Sequence, residues 1–331
     1  MKGRAEVVLP GAPLAETVAF FRDRVGMRLC SIRPADAPTV AVLEGGGLRV
    51  RLDAAHRGDP GLVRVEAERD EVLVAPNGTQ VRRCAPTALM VPEPAGTWTV
   101  VDAPAADRDW TEGRAGMLYR DLVPGRLGGH VVASHIRVRD AGAVPDDVHY
   151  HDVAAQLIHC VRGRVRLVYE DQGPAFELRE GQTLLQPPRI RHRVLSSDGR
   201  LEVVEVTSPA EHETLLDPDL SLPTSDLHPG RAFSGQRFVV QQQDDDDAIA
   251  GASGGRIAAA VMQLDEAPHP IGAADRVEFV FALRGSGALT VEGASAAIAQ
   301  HSAATLPPGC AGTLRATDGV LTVLRVRLAT D

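Results

Sequence analysis

The 331-residue chain has a single lysine and only four cysteines, with no CxxC pair, no basic cluster and no long apolar run. Each absence closes off a class of protein. Cys30, Cys84, Cys160 and Cys310 lie far apart, which argues against a disulfide framework or a cysteine zinc site and suits a reducing cytoplasm. No segment approaches the roughly 18 apolar residues of a membrane span. The opening "MKGRAEVVLPG" lacks the apolar stretch of a signal peptide. A cytoplasmic, soluble protein without a membrane partner is therefore expected. The formal net charge is −9 and the arginines are scattered, so no nucleic-acid footprint is present. The scarcity of lysine is attributed to genomic base composition rather than to chemistry.

What is there is ordinary for a globular protein: 44% hydrophobic and 24% charged residues. The length exceeds what one core usually serves, which predicts two or three domains. In "PLAETVAFFRDRVGMRL", Leu14, Val18, Phe21 and Val25 recur at helical spacing, and Gly26 offers a stop. Around it, "AEVVLP", "TVAVLE", "LRVRLD", "LVRVEAE" and "EVLVAPNGTQVRR" read as strands, with a turn at Asn77-Gly78. Residues 1–103 are thus expected to form a small α+β, βαβββ-like domain. Its helix and its "LVAPNGTQVRR" hairpin resemble half of a vicinal oxygen chelate (glyoxalase/bleomycin-resistance-like) domain. That family's metal ligands fall on positions occupied here by Val7 or Val8 and by Arg82 or Arg83, so a structural or docking role is expected for this part.

A polar connector, 104–116, leads to short strands at intervals of about ten residues, "HVVASHIRVRD", "QLIHCVRG", "RVRLVYED", "QTLLQPP" and "LEVVEVTS". That rhythm predicts a β-sandwich or small barrel over 117–210. A loop-rich linker, 211–236, precedes a third block, 237–331, with the same rhythm. The run "QQQDDDD" inside it is expected to be a solvated loop.

One stretch of the middle block carries chemistry: "PDDVHYHDVAAQLIHCVRG", 145–163. Residues i and i+2 of a strand point to one face, so His149 and His151 project together while Tyr150 points away. Two neutral imidazoles are half of a divalent-metal site. If the chain turns and returns, Gln156 leads the adjoining face, and Gly163 suits the next tight turn. Downstream, "GQTLLQPPRIRHRV" brings His192 as a possible third imidazole. Three histidines plus one oxygen donor suit iron, manganese, nickel or zinc. His135 is a candidate pocket residue on a neighbouring strand. Arg189 and Arg191 flank His192, and Arg191 could clamp a substrate carboxylate. His159 alternates away from the Gln156 face, and His269 and His301 read as surface residues.

These residues resemble the two motifs of the cupin superfamily, G-x5-H-x-H-x3,4-E-x6-G and G-x5-P-x-G-x2-H-x3-N. Gly142, His149, His151, Gln156 and Gly163 match the first with one extra residue, and Gly181, Pro187, Arg189, His192 and Ser196 fall on the second. Gln156, Arg189 and Ser196 stand where the family has Glu, Gly and Asn. The third block is similar to a degenerate cupin: Glu278 to Gly285 keeps the E-x6-G spacing, but the histidine positions hold Ile271, Ala273 and Gly312. The resemblance implies a mainly β bicupin, two double-stranded β-helix (jelly-roll) barrels, the first binding metal through His149, His151, His192 and Gln156. It implies one divalent ion, Fe(II) first with Zn, Mn or Ni as alternatives, and a small anionic substrate. A dioxygenase acting on an organic acid is the leading expectation. A ligand-binding cupin and a non-redox isomerase or lyase are the alternatives, and a homodimer is the expected assembly.

Overall fold

The computed structural model describes residues 4–86, 88–242 and 248–330. The acidic run 244–247, expected as a solvated loop, lies outside them. The chain is mainly β, 48% strand and 8% helix, and divides into two compact units, Met1–Ala88 and Leu89–Asp331.

The first unit has the βαβββ order read from the sequence: β1 (Val7–Pro10), α1 (Leu14–Asp23), β2 (Arg28–Arg33), β3 (Val40–Gly45) and β4 (Leu48–Asp53). The helix lets β1 run parallel to β4, and antiparallel pairing then gives the sheet order β1-β4-β3-β2. Thr17 and Phe21 of α1 are buried, with Leu14 and Val18 packed beside them. The helix ends at Asp23, and Gly26 adopts φ +83°, a conformation open to glycine. That turn brings the Met27 N–H to the Phe21 carbonyl at 3.0 Å. A second sheet, ordered β5-β7-β6, follows from β5 (Leu62–Glu66), β6 (Glu71–Val74) and β7 (Gln80–Cys84). The predicted Asn77-Gly78 turn joins its last two strands, with Gly78 at φ +91° donating to the Ala75 carbonyl.

The second unit holds two barrels, each made of two facing sheets. In the first, a sheet including Ala155–Arg162, Leu201–Ser208 and Val132–Val138 faces one including Arg164–Tyr169, His192–Asp198 and His149–His151. Ile136, Cys160, Leu167, Tyr169, Leu178 and Leu184 fill the space between them. In the second barrel, Ile257–Leu264, Leu321–Ala329, Arg276–Arg284 and Ala303–Leu306 face Gly312–Ala316 and Gly287–Val291. Its interior is lined by Ile271, Val280, Leu289, Leu306, Leu314 and Val323.

The larger sheets of the two barrels pack back to back. Leu157, Leu185, Val204 and Val206 from the first meet Phe279, Phe281, Leu324 and Val326 from the second in one continuous buried cluster. The alternation of each strand makes this possible: odd and even positions serve two cores, as expected when both faces of a sheet are covered. The pairing also crosses the chain. Thr99–Val101, which precedes the first barrel, pairs with Ala303–Leu306 of the second. Val239–Gln241, which follows the first barrel, pairs with Thr183–Leu185 of it.

Phe279 is fully buried in the shared cluster. Phe279→Ala is expected to cost about 3–5 kcal/mol, read by thermal or urea denaturation, with probes in both barrels shifting together.

Candidate metal centre

The site is built by three strand segments of the first barrel. His149 and His192 stand directly opposite each other on antiparallel neighbours, and His151 follows two residues along on the same face. Ring centroids lie 4.1 Å apart for His149 and His192, 5.2 Å for His149 and His151, and 5.3 Å for His151 and His192. One nitrogen from each ring falls within 4.8 Å of the others.

The Nδ1 atoms decide which nitrogens converge. Nδ1–H of His149 donates to the Asp147 carbonyl at 2.7 Å, and that of His192 to the Ile190 carbonyl at 3.0 Å. Nδ1 of His151 pairs with Thr214 Oγ1 at 2.9 Å. The two carbonyls thereby hold His149 and His192 in the tautomer whose Nε2 carries the lone pair, as a metal-binding histidine needs, and the Thr214 hydroxyl is able to accept from His151 in the same way. Electrostatics agree. Burial, then the neighbouring rings, hold His192 well below the usual imidazole range, and His151 is pushed down to about 3 by burial, His149, His212 and Arg114. Burial and Arg114 lower His149 as well. All three are neutral at pH 7, which is the ligating form. This donor set fits a divalent ion.

Local structure explains why the rings meet. Asp146, almost fully buried, accepts the Val194 N–H at 2.9 Å and so ties the segment before the first two histidines to the strand bearing the third. The Arg189 N–H donates to the His151 carbonyl at 2.9 Å. Arg189 takes φ +63°, so it keeps the left-handed turn for which the cupin motif uses glycine. Tyr169 stacks on His192, with centroids 5.3 Å apart and planes at 19°.

Gln156 does not join the rings as the sequence suggested. Its side-chain carbonyl accepts the Gln186 amide at 2.8 Å, and Gln186 accepts the Tyr169 hydroxyl at 2.7 Å. The glutamine thus reaches His192 through a hydrogen-bond chain and a stacked ring. Two other expectations are corrected. Arg191 lies on the outer side with Tyr150, 4.4 Å over its ring, and pairs with Asp217 at 3.1 Å; next to His192 in a strand, it points the opposite way. His135 is buried against the other barrel, bonded to Glu202 at 2.8 Å and packed on Trp110, Phe281 and His301. Strand parity sends Ile136, not His135, into the first barrel. His301, read as a surface residue, is half-buried in that same packing. His159 lies on the His135 side, bonded to Thr183 at 2.8 Å.

Several residues at the site gave no sequence signal. Arg114, from the expected connector, pairs with Asp146 and places its guanidinium 3.0 Å from His149 Nε2 and 3.4 Å from Nδ1. The expected linker supplies Thr214–Leu216, which pairs with His149–His151, together with His212, whose ring is 5.6 Å from that of His151. Glu205 stands on the inner wall in register with Ile158. Burial raises its carboxyl above the usual range, against the pull of Arg114 and the Gln156 amide.

The second barrel fills the equivalent place differently. Glu278 is fully buried and ion-paired with Arg325 at 2.7 Å, and it accepts the Gly272 N–H at 3.0 Å. A fixed guanidinium neutralises this carboxylate. At Gly312, the third motif-histidine position, a Cβ would sit 2.6 Å from the Thr290 carbonyl oxygen. No side chain fits there without the backbone shifting.

No family model matches the sequence, and no curated protein matches it. Solved structures do. A deletion variant of Bacillus subtilis oxalate decarboxylase is 12% identical with a TM-score of 0.53, covering 71% of this chain and 77% of that one. Another structure of that enzyme, described by its Mn(II) centres, has a TM-score of 0.53 and covers 72% and 78%. Procruciferin, an 11S globulin from Brassica napus, is 12% identical with a TM-score of 0.51, covering 70% and 84%. At such identity the likeness is one of fold. Both kinds of neighbour are bicupins, and the chain has the bicupin fold.

Thr214→Val keeps the side-chain shape and removes the partner of His151 Nδ1. It is expected to weaken metal binding about 10- to 100-fold, measured by chelator competition. A second prediction concerns acid. Burial pushes His159 down to about 4, and His135 to about 4 against the pull of Glu202. The unfolded chain takes up these protons below about pH 6.5 and the folded chain only near pH 4. Stability is therefore present in full above about pH 6.5 and falls as pH drops toward 4, checked by urea titration at about pH 7 and about pH 5.

Proposed function

We propose that this chain is a metal-dependent enzyme of the mononuclear non-haem iron dioxygenase or hydroxylase type, acting on a small organic acid. The observation that carries this reading is the convergence of three imidazoles, one ring nitrogen of each within 4.8 Å of the others, with a hydrogen-bond partner at Nδ1 of every ring. His149, His151 and His192 would hold one divalent ion, Fe(II) first with Mn, Zn or Ni as alternatives, which supplies a Lewis-acidic point and, as iron, activates dioxygen.

The chain's own residues do the remaining work. Asp147, Ile190 and Thr214 hold the three rings in orientation, and Tyr169 closes the inner side of His192 against water. The three imidazoles bring no negative charge, and Gln156 adds none, so an anionic, chelating acid complements the centre. The second barrel and residues 1–103 act as scaffold or docking elements, supported by the Glu278–Arg325 pair and by Arg82 and Arg83 at the ligand positions. We place the metal-binding cupin at 117–210 and its degenerate partner at 237–331, with the strands Thr99–Val101 and Val239–Gln241 exchanged across those limits. Among the described residues no helix is long and apolar enough to cross a membrane. A cytoplasmic homodimer is the proposed working form.

One observation favours a second reading, a redox-neutral lyase or isomerase. Glu205 puts a carboxyl group on the inner wall beside Gln156, a group able to pass a proton, and two of the similar structures are of a decarboxylase, one described by its Mn(II) centres.

Elemental analysis of the purified protein, with oxygen uptake across a panel of small acids, separates the readings. Stoichiometric iron with acid-dependent oxygen consumption is expected, lost in His149→Ala/His192→Ala. Manganese or zinc with acid turnover and no oxygen uptake would establish the second reading. Ligand binding that survives removal of the metal would overturn both.

A further inference from the structure

Arg114 is a charged side chain brought to the three histidines from the segment that precedes the first barrel. It sits in a tight turn, Arg114–Gly116, in which Ala115 has φ +55° and Gly116 φ +71°. Its NH1 is pinned by Asp146, whose other oxygen is taken by the Val194 N–H. Asp146 is thus tied at once to the guanidinium and to the backbone of the strand that carries His192. The NH2 group donates to His149 Nε2 at 3.0 Å, and the side chain is still 36% exposed, within reach of a ligand entering from solvent.

Counting donors and acceptors shows what this placement requires. Nδ1 of His149 already donates to Asp147, so Nε2 carries the ring's only lone pair. That lone pair can serve Arg114 or a metal ion, not both. When it goes to a metal, NH2 loses its acceptor, and a guanidinium is left beside a second cation. Asp146 already balances the charge of Arg114, so what remains unmet is the hydrogen-bond donor on NH2 and the charge that the metal ion itself brings. A carboxylate satisfies both requirements, giving one oxygen to the metal and the other to the NH2 group.

We propose that Arg114 is a specificity-determining residue of this centre. Held by Asp146, it hands its NH2 from His149 to a carboxylate oxygen of the acid bound at the three histidines, so that metal and organic acid bind as a pair. The proposal rests on the metal-centre reading above and names the part of the ligand that the chain recognises. Arg191, the arginine expected from the sequence, is turned away from the rings and cannot do this.

The test uses the full chain, Co(II) as probe metal and benzoate as a carboxylate that binds free Co(II) weakly. Co(II) affinity is read by its visible absorption under chelator competition, with and without benzoate, and folding is checked by far-ultraviolet circular dichroism. In the wild type, benzoate is expected to tighten Co(II) binding about 10- to 100-fold, the worth of a hydrogen bond to a charged group. Arg114→Gln should bind Co(II) alone at least as tightly as the wild type and lose the benzoate effect. Arg114→Lys keeps the charge without the fork and should retain part of that effect. Arg108→Gln, an exposed arginine of the same connector, should behave as wild type. An undiminished benzoate effect in Arg114→Gln would sink the proposal while leaving the metal centre standing. Folded wild type and Arg114→Gln that both fail to bind Co(II) would instead remove the metal reading, and this one with it.

Discussion

The site depends on one cross-strand contact, His149 facing His192. Antiparallel pairing brings the two rings to 4.1 Å, a distance at which two imidazolium ions could not coexist. Burial keeps both neutral, and backbone carbonyls on the far side of each ring choose the tautomer. Strand geometry thus sets the separation, and hydrogen bonding sets which nitrogens face inward. The third ring is held through a side chain, Thr214, which stands in register with His151 on the neighbouring strand Thr214–Leu216.

How much of this the sequence discloses follows from the range of the interactions. Periods of two and of 3.6 residues are local, so the helix at Leu14–Asp23, the strands around it and the face shared by His149 and His151 are all legible. Motif spacing extends the reach to His192. Parity along a strand is less certain to read: Ile136 and His135 are adjacent, and only the packing of the second barrel decides which of them turns inward. Arg191 fails for the same reason, being one residue out of phase with His192. Arg114, Thr214 and His212 come from segments with no periodicity of their own. Their roles arise from where the barrels hold the chain, which no short stretch of sequence encodes.

The two barrels show one scaffold put to two electrostatic uses. In the first, the motif glutamate has become Gln156, a neutral group absorbed into a chain of hydrogen bonds with Gln186 and Tyr169. In the second, the glutamate survives as Glu278 but is neutralised by Arg325, and Gly312 leaves no room for an imidazole. The carboxylate and the histidines have been separated between the halves, so neither barrel keeps the full ligand set of the motif.

The exchange of Thr99–Val101 and Val239–Gln241 has a consequence for how such a chain can be rearranged. A cut in the stretch between the barrels strips one edge ribbon from each fragment, leaving open hydrogen-bonding rims and a bared hydrophobic back on both. The halves are therefore not interchangeable cassettes.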